Sequence, residues 1–117
     1  MLPSKNRLIT NFEFKITRKH GQHIEGKYTH LYALRPRGYL GPSKFGFVVT
    51  NKFEKSAPKR NRIKRLLREI TRLNYEDLDL EENLWIVIQP KANIKEQPYE
   101  EVSTDLIENL QKISVTH

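Results

Sequence analysis

Eight cations and one acid fill the eighteen residues from Lys55 to Arg72. Charges of one sign at that density stay solvated, because burying them unpaired costs several kcal/mol each. The segment therefore has to be two-sided, and its sequence is. Ser56 is an N-cap candidate and Pro58 falls in the first turn, where its missing N–H costs nothing. Ile63, Leu66, Leu67, Ile70 and Leu73 recur at helical spacing and form one apolar stripe. At about 100° per residue, Asn61, Lys64, Arg65, Arg68 and Arg72 gather on the opposite side, with Arg60 and Arg62 flanking the stripe. Like charges four residues apart, Lys64–Arg68 and Arg68–Arg72, cost an isolated helix a few tenths of a kcal/mol each. A polyanionic partner offsets that cost; a purely structural role does not.

The charge is segregated along the chain. Residues 1–54 hold ten basic and three acidic side chains, and residues 73–117 hold three and ten. With a sequence pI near 9.7, this points to nucleic acid first and an anionic membrane second. The 117 residues suit a single domain, 1–117, with one hydrophobic core. The absence of cysteine excludes disulfides and thiolate sites. The sequence shows neither an apolar signal region nor a run near the ~20 residues of a membrane span, so a soluble cytoplasmic protein is expected.

Along the chain, Thr10 and Glu13 have capping-box spacing, and Lys19, His20 and Gly21 suit the end of a first helix. On that helix Phe12 and Ile16 share one face; Phe14 and Arg18 share roughly the opposite one. Periodicity leaves open whether Phe14 is core or exposed. Tyr28–Arg35 reads as a strand, 36–43 as turn chemistry, and Lys44–Asn51 as a second strand, which the short loop favours as a hairpin. Gly46 suggests a bulge or a close backbone approach. Residues 74–83 read as an acidic linker. Leu84–Gln89 is an apolar run of interior-strand type, and Pro98 opens a last helix striped by Val102, Leu106, Leu110 and Ile113. Glu100, Glu101, Asp105 and Glu108 read as its solvated face. The order helix, strand, strand, helix, strand, helix makes an α+β two-layer sandwich, with helices packed on one side of a small sheet and either its other face or a cleft at its edge left open.

No phosphate-binding glycine loop, zinc-protease helix or nucleophile elbow occurs. His20, His23, His30 and His117 lack ligand-like spacing, so neither a metal site nor a catalytic site is expected in the protein. The positive signal is the cationic strip. Guanidinium forks suit phosphate, and Asn61 adds a neutral donor and acceptor among them. Such a face binds backbone and reads shape, which suits folded RNA. Phe14, Tyr28 and Tyr32 offer stacking surfaces if exposed.

The run Lys59-Arg60-Asn61-Arg62-Ile63-Lys64-Arg65-Leu66-Leu67-Arg68-Glu69 resembles the "RNR" signature of the bacterial ribonuclease P protein component family. Supporting matches are Leu2-Pro3 with Asn6-Arg7-Leu8, Phe14 with Lys19-His20-Gly21, Leu31-Tyr32, Phe45 through Lys52, and Leu84 through Ile88. The resemblance spans roughly residues 2–112. It implies an α+β sandwich with a left-handed crossover around the signature helix, against the usual right-handed rule. It implies a protein subunit that helps a catalytic RNA remove the 5′ leader of precursor tRNA, with Mg²⁺ held mainly by that RNA. Its partners would be ribonuclease P RNA and precursor tRNA, with neither membrane nor DNA involved. Carried over by position, Lys52, Arg60, Asn61, Arg62, Lys64, Arg65 and Arg68 match RNA-subunit contacts. Phe14 and Tyr32 match aromatics lining the leader cleft, with Arg18 where a second cleft aromatic is common. The loop Phe53–Pro58 departs from the family by lacking its common glycine and being one residue longer. A ribosomal-RNA-binding structural protein is the alternative that shares charge and size. A DNA-binding helix-turn-helix is disfavoured, because a strand precedes the basic helix.

Overall fold

The computed structural model describes residues 10–39, 41–74 and 83–113. The opening motif at 2–8 and nearly all of the acidic linker lie outside the described residues. Helix α1 (Asn11–His20) starts as the capping box requires. The Glu13 N–H donates to Thr10 Oγ1 at 3.1 Å, and the Thr10 N–H donates to Glu13 Oε1 at 2.9 Å. Its buried residues are Glu13 and Thr17, so Phe12 with Ile16 and Phe14 with Arg18 form two flanks of one docked face. Gly21 follows the last turn in an extended conformation with φ −78°. A β-carbon there would lie 2.5 Å from the Thr17 carbonyl oxygen and 2.8 Å from that of Ala33. Glycine is required by close approach and not by a left-handed cap.

Four strands follow in the order β1-β2-β4-β3: β1 Gln22–Glu25, β2 Thr29–Leu34, β3 Lys44–Phe47 and β4 Trp85–Pro90. The β1–β2 and β2–β4 pairs are antiparallel, and β3–β4 is parallel. This corrects the hairpin expected between β2 and β3. The most apolar strand, β4, inserts between them, because a run of Ile86, Val87 and Ile88 is buried only in the sheet interior. The strand β1 is an addition; QHIE is too short and polar to signal itself. Gly46 pairs in register with Val87, without a bulge.

Helices α2 (Ala57–Asn74) and α3 (Tyr99–Gln111) form the second layer. The core gathers Leu31, Ala33, Phe45, Ile86 and Ile88 from one sheet face with Leu67 and Ile70 of α2 and Val102, Leu106 and Leu110 of α3. Burying each such Leu or Ile contributes about 1.5–3 kcal/mol. The α2 stripe ends one turn early, and Leu73 is 55% exposed. A correction also falls on α3: Asp105 is buried. Its carboxylate accepts from the Lys27 N–H at 2.8 Å, the Tyr28 N–H at 3.0 Å and Thr29 Oγ1 at 3.2 Å. That ties α3 to the β1–β2 turn. Helix α1 packs on β2 and β4 from the opposite side. Its Glu13 pairs with Lys44 at 3.6 Å, and Phe12 and Ile16 line a cavity of about 320 Å³ with Leu34, Pro36 and Trp85. The face expected to be open thus carries α1, and Val87 on it is fully buried.

Candidate nucleic-acid interface

On α2 the buried side is Leu67, Ile70 and Thr71. Asn61, Arg62, Arg65 and Arg72 are exposed, while Arg60, Lys64 and Arg68 are partly buried. The three partly buried cations are spaced by four residues and run along one flank of the helix. Arg68 lies over the Phe47 ring, 5.9 Å from its centroid, on the edge strand β3. Arg72 is engaged by Glu69 at 2.8 Å, and the guanidinium hydrogen bond holds the Glu69 carboxyl below the usual range. The cationic strip is therefore graded. Arg62 and Arg65 project with Asn61; Lys64 and Arg68 lean toward the sheet edge.

The loop before α2 is held from several directions. The N–H groups of Phe53 and Glu54 donate to the Thr50 carbonyl, each at 3.1 Å. Lys95, from a 3₁₀ turn at Ala92–Glu96, donates to the Phe53 carbonyl at 2.8 Å and sits 4.8 Å from the Phe53 ring centroid. The guanidinium of Arg60 donates to the carbonyls of Glu54 and Lys55 at 2.8 and 2.9 Å. So Arg60 fastens the loop that leads into α2. Lys52 is exposed at the start of this loop.

The other predicted group sits across the sheet. Tyr32 shares its sheet face with Leu34 and Trp85, by strand alternation and the Leu34–Trp85 pairing. The Phe12–Ile16 flank of α1 lies at the Trp85 end, and Val87, the partner of Tyr32 on this face, is fully buried. Phe14 and Tyr32 are partly buried and Arg18 is exposed. Phe14 is thus neither sealed core nor a free ring. The most exposed aromatic on α1 is Phe12, at 66%. Phe14 and Arg18 lie on α1 and Tyr32 on the sheet face that α1 packs against, while α2 packs on the opposite face.

Beside Tyr32, sequence reasoning misses two residues. The His23 ring stacks on Tyr32 with centroids 4.8 Å apart and planes 10° off parallel. His23 Nε2 also lies 2.9 Å from His30 Nδ1, with the two rings stacked at 5.1 Å. Desolvation pushes the His30 pKa below its ordinary value, and the charges of Lys91 and His23 push the same way. Glu25 accepts from Lys91 Nζ at 2.7 Å, which holds its carboxyl low. The histidines are seven apart in sequence, and only the strand register places them together. The run His23-Ile24-Glu25 is too short to signal a strand, so the sequence carries no usable cue to this pairing.

The family model for ribonuclease P matches residues 2–114. This chain belongs to the ribonuclease P protein family. The ribonuclease P protein component of Finegoldia magna is 35% identical over 108 residues, covering 92% of this chain and 90% of that protein. That of a Synechococcus strain is 36% identical over 114 residues, covering 96% and 84%. Among solved structures, the ribonuclease P protein of Thermotoga maritima superposes with a TM-score of 0.81 at 26% identity, covering 93% of this chain and 98% of that one. The Staphylococcus aureus protein, at 20% identity and a TM-score of 0.77 over 91% and 93%, shares the fold.

Proposed function

We propose that this chain is the protein subunit of ribonuclease P in tRNA 5′-end maturation. In this reading it binds ribonuclease P RNA through α2 and its leading loop, using Lys52, Arg60, Asn61, Arg62, Lys64, Arg65 and Arg68. It holds the 5′ leader of precursor tRNA against Phe14, Arg18 and Tyr32. The supporting observation is an exposed cationic helix face in a chain matched over residues 2–114, with the partly buried aromatics Phe14 and Tyr32 on the other side of the sheet. Phosphate contacts fix register without reading sequence, and ring stacking holds unpaired bases at about 1–3 kcal/mol each. Both properties suit a subunit that handles many leaders. Arg18 supplies a phosphate contact or a stacking guanidinium where an aromatic is common. The β3–α2–β4 connection is left-handed in this reading. The protein works in the cytoplasm; among the described residues no helix is long and apolar enough to cross a membrane.

The RNA subunit carries the catalysis in this account, with Mg²⁺ bound there. The one candidate donor cluster among the described residues, His23, Glu25 and His30, is nitrogen-rich and does not suit Mg²⁺, which takes oxygen ligands. No step is routed through the protein. The test is equilibrium binding of precursor and mature tRNA to the reconstituted holoenzyme. Phe14→Ala is expected to weaken precursor binding by about 1–3 kcal/mol and leave mature tRNA binding unchanged. Equal losses for the two ligands would remove Phe14 from the leader site. A wild-type protein that gives precursor no advantage over mature tRNA would sink the leader-binding role.

A further inference from the structure

The β1–β2 hairpin gathers three metal-capable side chains from two strands onto the sheet face that also carries Tyr32. His23 and Glu25 alternate on β1 and so point to the same side. Antiparallel register sets His30 directly opposite Glu25, and sets Tyr32 opposite His23. His23 Nε2 and His30 Nδ1 are 2.9 Å apart. One donor atom from each of His23, Glu25 and His30 lies within 4.8 Å of the other two. We propose that these three side chains form a binding site for a transition-metal dication of the zinc class, its remaining positions filled by water. The proposal does not depend on the RNA-binding function.

The spacing already suits ligation. Zinc–imidazole bonds of about 2.0–2.1 Å place two nitrogens about 2.9 Å apart at a right angle and about 3.4 Å apart at a tetrahedral angle. The two nitrogens face each other along the line between the ring centroids, so the rings turn to aim their lone pairs at a common ion, which replaces the hydrogen bond between them. Glu25 is the adjustable ligand. Its Oε2 holds Lys91 Nζ at 2.7 Å, and turning toward the ion shares or breaks that pair. Two imidazoles and one carboxylate favour Zn²⁺, Co²⁺ or Ni²⁺ over the oxygen-seeking Mg²⁺ and Ca²⁺. The frame is rigid. Stacking on Tyr32 orients the His23 ring, and Asp105 fixes the connecting turn through the N–H groups of Lys27 and Tyr28. Lys91 works against occupancy by placing a positive charge beside the carboxylate.

The experiment is a Zn²⁺ titration by calorimetry on the full chain without an added histidine tag, with Co²⁺ as paramagnetic probe in NMR. One equivalent of Zn²⁺ should bind, and millimolar Mg²⁺ should not displace it. His23→Ala and His30→Ala should each weaken it by more than the roughly tenfold cost of losing an outer-shell partner. His20→Ala, on α1, should leave it unchanged, and Lys91→Met should tighten it several-fold. Co²⁺ should broaden the His23 and His30 ring signals first. Circular dichroism confirms that each variant is folded. Absence of Zn²⁺ binding at millimolar ion, affinity unchanged in both folded His23 and His30 variants, or Co²⁺ broadening centred on His20 would each overturn the site. An unchanged or weaker affinity in Lys91→Met would remove Glu25 from the ligand set.

Discussion

Arg60 and Arg62 stand two residues apart on α2, yet their guanidinium groups have different surroundings. Arg60 donates to the Glu54 and Lys55 carbonyls, whereas Arg62 is exposed. Arg62→Ala is expected to weaken RNA-subunit binding by about 1–3 kcal/mol while moving stability by less than about 0.5 kcal/mol. Arg60→Ala should lower affinity and also stability, by about 1 kcal/mol, as two loop carbonyls lose their partner. Paired binding and urea-unfolding measurements separate the two. An Arg62→Ala protein that binds the RNA at wild-type affinity would reject that residue's role. Neither difference is legible in sequence, where both read as cations flanking an apolar stripe. The periodicity of a helix fixes a side chain's direction, but not which neighbouring carbonyls the loop before it will present.

At the scale of elements, the signals that read correctly are local. The capping box at Thr10 and Glu13, the apolar stripe of α2 and the interior run of β4 each rest on contacts within a few residues. The signals that misread are long-range. The pairing of β2 with β4 rather than β3 depends on which strand needs burial on both faces, and β1 has almost no signal of its own. Asp105 reads as one more acid on a solvated helix face until the β1–β2 turn is set against it. That contact yields a prediction: Asp105→Ala removes the acceptor for two backbone N–H groups and the Thr29 hydroxyl. The loss should destabilise the fold by about 3 kcal/mol, since hydrogen bonds to charged groups contribute about 1.5–3 kcal/mol each and do not sum fully. Chemical denaturation reads this directly, and a change under about 0.5 kcal/mol would mean the turn holds itself. Gly26 belongs to the same lock, because a β-carbon there collides with the Asn109 side chain and crowds the Asp105 carboxylate at 2.8 Å.

Across the whole molecule, the sheet separates two chemistries. The cationic helix and the core lie on one side; Tyr32 and helix α1, which carries Phe14 and Arg18, lie on the other. Under the proposed function, the two sides serve two different RNAs. If five to seven phosphates are neutralised at the RNA-subunit contact, the logarithm of affinity should fall with the logarithm of salt at a slope of about −4 to −6. A nearly flat response would contradict the cationic strip as the binding surface. The measurement that tests the central claim most directly is cleavage of precursor tRNA at low Mg²⁺, with the RNA subunit alone, this protein alone, and both together. The account predicts 5′-leader removal only when both are present. Activity from the protein alone would contradict the assignment of catalysis to RNA, and a folded, RNA-binding protein that gives no rescue would contradict the assignment of this chain to that enzyme.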